Sequence, residues 1–177
     1  MIIERISRPD VPAVDLSEAK NHARVDGDFE DFDFARMIDA ATREAEEYAQ
    51  IALLSQSIRV VLPCWLRSLT FSLPITPLLD WSTVTVTANG IGFDDFSVIT
   101  GQRPALRLSA GRPAGEIIIY YQAGYGDQPG DIPADLRHAL LDQIATYYDA
   151  RGAVDRSTVT LSPHFARIVG RLRGVRA

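Results

Sequence analysis

The sequence predicts an α+β fold, with helices at both ends of the chain and a strand-rich stretch between them. Three observations carry this. Apolar residues recur at helical spacing from Phe34 to Tyr48 and again from Leu136 to Tyr147. Between Gln56 and Tyr121, β-branched residues alternate with polar ones or run together, broken by Pro and Gly. The chain has 177 residues, 46 % hydrophobic and 23 % charged, which suits one globular domain that needs no staples. We expect an N-terminal arm and two helices over 1–54, a β-rich insertion over 55–122, and a turn with C-terminal helices over 123–177. The two helical ends should pack together.

The elements follow in order. A Pro-bearing arm or strand over 2–14 leads to Asp15 and Glu18, which stand at capping-box spacing and open a short helix to about Val25. Asp26-Gly27-Asp28 breaks it. The next helix, from about Asp31 to Ala49, puts Phe34, Met37, Ile38, Ala41, Ala45 and Tyr48 on one stripe. On its outer face Asp39 should pair with Arg43, and Arg43 with Glu47, at i, i+4. Residues 57–62 read as a strand ended by Pro63, and 69–73 as another. Over 83–88 threonine alternates with apolar residues up to Asn89-Gly90, the strongest short hairpin signal. Segments 96–99 and 106–108 are short strands. Glu116 opens an apolar run through Tyr121, the mark of a strand covered on both faces. That makes five or six strands, mostly antiparallel.

Asp131 and Pro133 then signal a helix start. Leu136, Leu140, Ile144 and Tyr147 set its stripe, which ends near Gly152. Leu141, Ala145 and Tyr148 widen the stripe, so this helix should be covered on two sides. A polar loop over 153–161 precedes a last short helix over 163–173. There Phe165, Ile168, Val169 and Leu172 point inward and the arginines outward.

No apolar run reaches the 18 or so residues of a membrane span, and Met1-Ile2-Ile3-Glu4-Arg5 does not read as a signal peptide. Cys64 is the single cysteine, which excludes an internal disulfide and suits a reducing, cytosolic setting. The net charge of −5 hides a gradient. Residues 1–50 carry thirteen Asp/Glu against six Lys/Arg, and residues 156–177 carry five arginines and no acid. Such a tail is either a solvated helix face or a contact for an acidic partner. A pI near 5.1 argues against DNA as the main ligand.

Familiar enzyme chemistry finds no support. Lys20 is the only lysine and no Gly-rich loop precedes it, so a P-loop is excluded; Gly-x-Ser-x-Gly is absent. Cys64 beside Trp65 reads as a buried small hydrophobe. His22, His138 and His164, spread along the chain, lack the spacing of a Cys/His zinc site, and each reads as a surface or hydrogen-bonded histidine. Counted as a calcium loop from Asp26, the acidic run puts Asp31 at the glycine position and Met37 at the glutamate position, so it reads as an acidic inter-helix turn. Gly124, Gly126 and Gly130 miss the dinucleotide fingerprint spacing and read as a strand-to-helix turn. An enzyme built from scattered residues such as Asp94 or Asp127 is the remaining catalytic alternative.

Three stretches together resemble a known family. The first is Val14-Asp15-Leu16-Ser17-Glu18-Ala19-Lys20-Asn21-His22-Ala23-Arg24-Val25-Asp26. The second is Ala45-Glu46-Glu47-Tyr48 followed by Leu53-Leu54-Ser55-Gln56. The third is Tyr121-Gln122-Ala123-Gly124-Tyr125-Gly126-Asp127, then Ile132-Pro133-Ala134-Asp135-Leu136-Arg137-His138-Ala139 and Tyr147-Tyr148-Asp149-Ala150-Arg151. This order resembles the head–tail connector (adaptor) proteins of long-tailed phages, prophages and gene transfer agents, over roughly residues 12–151. Its most specific part is the Gly124, Tyr125, Gly126, Asp127 turn followed by Pro-Ala-Asp-Leu-Arg. Family members often carry Leu where Ala23 stands, and the resemblance does not extend past Arg151.

The resemblance implies a structural virion protein without enzymatic activity or cofactor. It would form a dodecameric ring under the portal protein, extend the DNA channel without binding DNA specifically, and dock the next head-completion or tail protein. It would assemble in the host cytoplasm and reside at the virion neck. A stopper-like or tail-completion protein is the alternative within the same class. A ring needs two complementary patches on each subunit, and a chain acidic at its start and basic at its end offers them. The candidate contacts are therefore Arg167, Arg171, Arg173 and Arg176 on one side, and Asp28, Asp31, Asp39, Glu46 and Glu47 on the other. Loops at 83–96 and 101–115 are both candidates to enter the channel.

Overall fold

The first residues and the strand-rich middle of the chain make one unit, and the helices make another, in a computed structural model that describes residues 1–152 and 161–173. Arg176 and nearly all of the polar loop expected over 153–161 lie outside the described residues. The elements are β1 (Ile2–Arg5), α1 (Leu16–Ala23), α2 (Asp31–Ala49), β2 (Gln56–Leu62), β3 (Thr70–Ser72), β4 (Thr85–Ala88), β5 (Ile91–Gly92), β6 (Phe96–Ile99), β7 (Ala105–Leu108), β8 (Ile117–Ala123), α3 (Ala134–Asp149) and α4 (Pro163–Leu172). This is the α+β order read from the sequence. The strands exceed the expected number through β1 in the arm and the two-residue β5.

The strand unit takes in Met1–Pro9 and Leu54–Tyr125. It holds a five-stranded sheet in the order β1-β2-β8-β4-β5 and a three-stranded sheet in the order β3-β7-β6, every pairing antiparallel. In the β2–β8 ladder, Ile58 faces Tyr121, Val60 faces Ile119 and Leu62 faces Ile117, and all six side chains are buried. The Tyr121 hydroxyl donates to the Ile75 carbonyl at 3.1 Å and accepts its N–H at 3.0 Å, so a buried phenol leaves no polar atom unmet.

Three expectations for this unit are settled by the coordinates. Asn89 and Gly90, at φ 50° and 78°, turn β4 into β5 with Ala88 opposite Ile91, as a type I′ hairpin requires. β8 is not covered on both faces. Its burial alternates, and Tyr120 is 40 % exposed. Its two edges are taken by β2 and β4, and an antiparallel sheet needs cover on one face only. Cys64 is exposed rather than buried, because it follows Pro63 past the end of β2, and Trp65 takes the interior position against Phe71.

The helical unit takes in Asp10–Leu53 and the described residues from Gly126 onward. α1 begins after Asp15, yet the Asp15 side chain makes no cap hydrogen bond. The expected capping box does not form, since the Glu18 carboxylate reaches Arg137 of α3 at 3.4 Å instead. α2 keeps the expected bounds and buries Phe34, Ile38, Ala41, Ala45 and Ala49. α3 buries Leu136, Ala139, Leu140, Leu141, Gln143 and Ile144 and packs against α1, α2 and α4, which explains its wide apolar stripe. The Gln143 side-chain carbonyl accepts the Ser162 N–H at 2.8 Å, fixing the entry to α4. α4 buries Phe165, Ile168 and Val169, whereas Leu172, expected inward, is 37 % exposed at the helix end.

Candidate functional site

Burial of Phe165, Ile168 and Val169 turns the other side of α4 outward, and Arg167 and Arg171 stand there one helical turn apart. Both are exposed, and neither forms an ion pair among the described residues. Arg173, just past the helix, lies with its guanidinium 5.4 Å from the centre of the Tyr48 ring, a cation–π contact with α2.

The acidic candidates separate by position. Asp28 and Glu47 are exposed. Asp39 pairs with Arg43 at 3.0 Å in the open, as the i, i+4 spacing predicts. Asp31, in the first turn of α2, takes the Lys20 ammonium, which also donates to the Gly27 carbonyl. Glu46 is 2 % exposed, and its carboxylate accepts the Leu53 N–H at 3.0 Å. It closes the segment that leaves α2 and presents nothing to a partner, so it is withdrawn from the contact surface. The periodicity does not warn of this, because the acceptor role depends on where the chain turns after the helix.

Two large side chains escape the charge reading altogether. Phe29 is 98 % exposed, in the turn before α2 that carries Asp26 and Asp28, and Phe32 is 76 % exposed, in the first turn of α2 with Asp31 and Asp33. Arg36 reaches over the Phe32 ring at 5.9 Å. The signal available in the sequence is two phenylalanines inside an acidic run. Behind them, Glu30 accepts the Tyr148 hydroxyl at 2.8 Å and the Arg151 guanidinium at 3.0 Å. The Tyr148 hydrogen bond first, and Arg151 second, hold the Glu30 carboxyl below its ordinary value. Arg151 also lies 3.8 Å over the Tyr148 ring, so the start of α2 is tied to the end of α3.

The turn after β8 has a steric explanation. Gly124 has φ 140°, and a Cβ there would sit 2.6 Å from the Leu54 carbonyl carbon and oxygen. Its N–H donates to the Pro77 carbonyl at 3.0 Å. A Cβ on Gly126 would collide with the Asp131 carboxylate, which accepts the Gln128 N–H at 2.9 Å. Tyr125 is half-buried and Asp127 exposed. Asp94, the other residue named for a scattered catalytic site, is also exposed.

The three histidines, read separately from the sequence, come together. His138 and Asp142 sit at i, i+4 on α3, His164 lies in the first turn of α4, and His22 is on α1. Asp142 holds His164 Nδ1 at 2.7 Å through one carboxylate oxygen and His22 Nε2 at 3.1 Å through the other. The His138 ring stands edge-on to both, 5.6 Å from His22 and 5.1 Å from His164 between centroids. Only His138 and Asp142 share a local spacing, and reading each histidine by itself passes over it. No helix among the described residues is long and apolar enough to cross a membrane.

With this geometry in hand, comparison with known proteins places the fold. No protein-family model matches the chain, and no curated protein does. Solved structures do. A chain in the neck of an empty gene transfer agent particle, computed with C6 symmetry, superposes with a TM-score of 0.82 at 23 % identity. That match covers 100 % of this chain and 97 % of the other. A chain in the neck of the native particle, computed with C12 symmetry, gives 0.80 at 21 % identity, and one in the native virion 0.78 at 22 %, with the same coverage. The chain thus shares a whole fold, end to end, with components of gene transfer agent particles.

Proposed function

We propose that this chain is a structural subunit of the head–tail neck of a phage-like particle, a connector that closes with its own copies into a ring under the portal protein. The observation that supports this best is the match over 100 % of the chain to a component of a particle neck, at a TM-score of 0.82. The C6 and C12 symmetries of those necks suit a ring of twelve copies. The connector-like residues around Gly124 to Asp127 point the same way from sequence. In this role the ring extends the DNA channel and offers a platform to the next head-completion or tail protein. A net charge of −5 suits a channel that DNA must slide through rather than grip. The role calls for no catalysis and no cofactor.

A ring joins one patch to a different patch on the neighbour. The exposed Arg167 and Arg171, with Arg173 after them, form the basic patch, and Arg176 adds to its charge in the sequence. Asp28, Asp39 and Glu47, with Phe29 and Phe32 among the acids, form the acidic one, on a neighbouring copy or met by the portal's equivalent. Light scattering after size exclusion, with and without portal protein, tests the reading. A discrete ring-sized species, alone or on the portal, is expected. A chain that neither self-associates nor binds portal overturns it. Charge reversal of Arg167, Arg171 and Arg173 should impair ring formation, most strongly at low salt, and unimpaired assembly there would reject this contact while leaving the connector role intact.

A further inference from the structure

We propose that His138, Asp142 and His164 form a binding site for a divalent transition cation of zinc's kind, clamped between α3 and α4. The donor atoms of these three residues, one ring nitrogen each and a carboxylate oxygen, all lie within 4.8 Å of one another. Tetrahedral zinc, with bonds of about 2.0–2.2 Å, sets its ligand atoms about 3.4 Å apart. Binding would draw in the exposed His138 and widen the 2.7 Å His164–Asp142 contact to that spacing, releasing the proton held there to solvent; both of those side chains are about a quarter exposed. The i, i+4 placement of His138 and Asp142 aims both from one face of α3, and α4 brings the third ligand across.

Two further features favour a cation over a simple ion pair. The His138 ring nitrogens bond to no protein group among the described residues, although the ring stands between two other imidazoles. Asp142 is already oriented by His22 through its second oxygen, the outer-sphere support that metal-binding carboxylates usually have. Two imidazoles and one carboxylate suit zinc, cobalt or nickel, whereas magnesium and calcium prefer oxygen alone. The remaining position would be filled by water. Occupancy would lock the arginine-bearing helix α4 to α3. This inference does not depend on the connector reading, since every residue in it belongs to one subunit.

The test is calorimetric titration of the tag-free full-length protein with zinc chloride, alongside the visible spectrum with cobalt(II). One zinc per chain and cobalt bands typical of nitrogen–oxygen tetrahedral coordination are expected, with no competition from equal magnesium. His138→Gln, at an exposed position that the fold tolerates, should weaken binding at least about tenfold, and His22→Gln by about that factor. Zinc should raise the midpoint of thermal unfolding of the wild type and not of the His138→Gln/His164→Gln variant, whose circular dichroism should match wild type. Absence of saturable binding overturns the site. So does binding that the double variant retains, or a cobalt–thiolate band that reports Cys64 instead.

Discussion

At Gly124 two separate demands coincide: a backbone φ of 140° and the Leu54 carbonyl where a Cβ would be. Gly90 shares the first demand, at φ 78°, but nothing lies within 4 Å of its missing side chain. Gly90→Ala should therefore lower stability by about 1 kcal/mol, the strain of a left-handed residue. Gly124→Ala should lose about 2–5 kcal/mol, from strain and overlap together. Urea unfolding of the two variants checks this, and equal losses would show that the chain at 124 yields freely. The sequence placed both glycines in turns correctly. It could not rank them, because the contact that separates them comes from a residue far away in the chain. Glu30 supplies a second test at this scale. Its carboxyl is held below the ordinary value in the fold, so the unfolded chain takes up the proton more readily. The stabilisation is complete above the ordinary carboxylate range and is lost as pH falls through the lowered value. Tyr148→Phe removes the main cause of that shift. The gap in urea midpoint between wild type and Tyr148→Phe should hold near neutral pH and narrow as the pH falls below about 4.

Among the elements, α2 was legible to the residue, because its apolar stripe, its acidic first turn and its length all agree. The start of α1 was legible in position, just after Asp15, but not in its capping. Asp15 and Glu18 have capping-box spacing, but a carboxylate also seeks an arginine, and Arg137 of α3 stands within reach of Glu18. A preserved capping box would make Asp15→Ala cost about 1 kcal/mol. With no cap bond from its side chain, Asp15→Ala should change stability by less than about 0.5 kcal/mol, as at an ordinary surface position. Thermal or urea unfolding decides between the two values. β8 fails as a reading for a similar reason. Its composition says only that it is apolar, and which faces are covered is decided by the antiparallel neighbours on its edges. The histidine cluster is the extreme case, since four side chains from three helices meet and only two of them share a local spacing.

For the whole molecule, the charge gradient and the exposed phenylalanines make different claims about the contact in the proposed ring. Exposed ion pairs are screened within about 10 Å at 0.1 M salt and more tightly above it. Burial of an aromatic side chain persists in salt. If the basic face of α4 steers copies into register and Phe29 and Phe32 anchor them, the two kinds of variant should respond differently to ionic strength. Arg167→Glu/Arg171→Glu should impair assembly strongly at low salt, with the defect shrinking toward 1 M. Phe29→Ser/Phe32→Ser should impair it at every salt concentration. Neither pair should shift the unfolding of the single chain by more than about 0.5 kcal/mol per site, because all four side chains are exposed in it. Sedimentation velocity across a salt series, with portal protein present as template, reads both effects at once. Phenylalanine variants that assemble like wild type would leave the charges as the whole of the contact, and a ring insensitive to both pairs would move the interface off the helical unit.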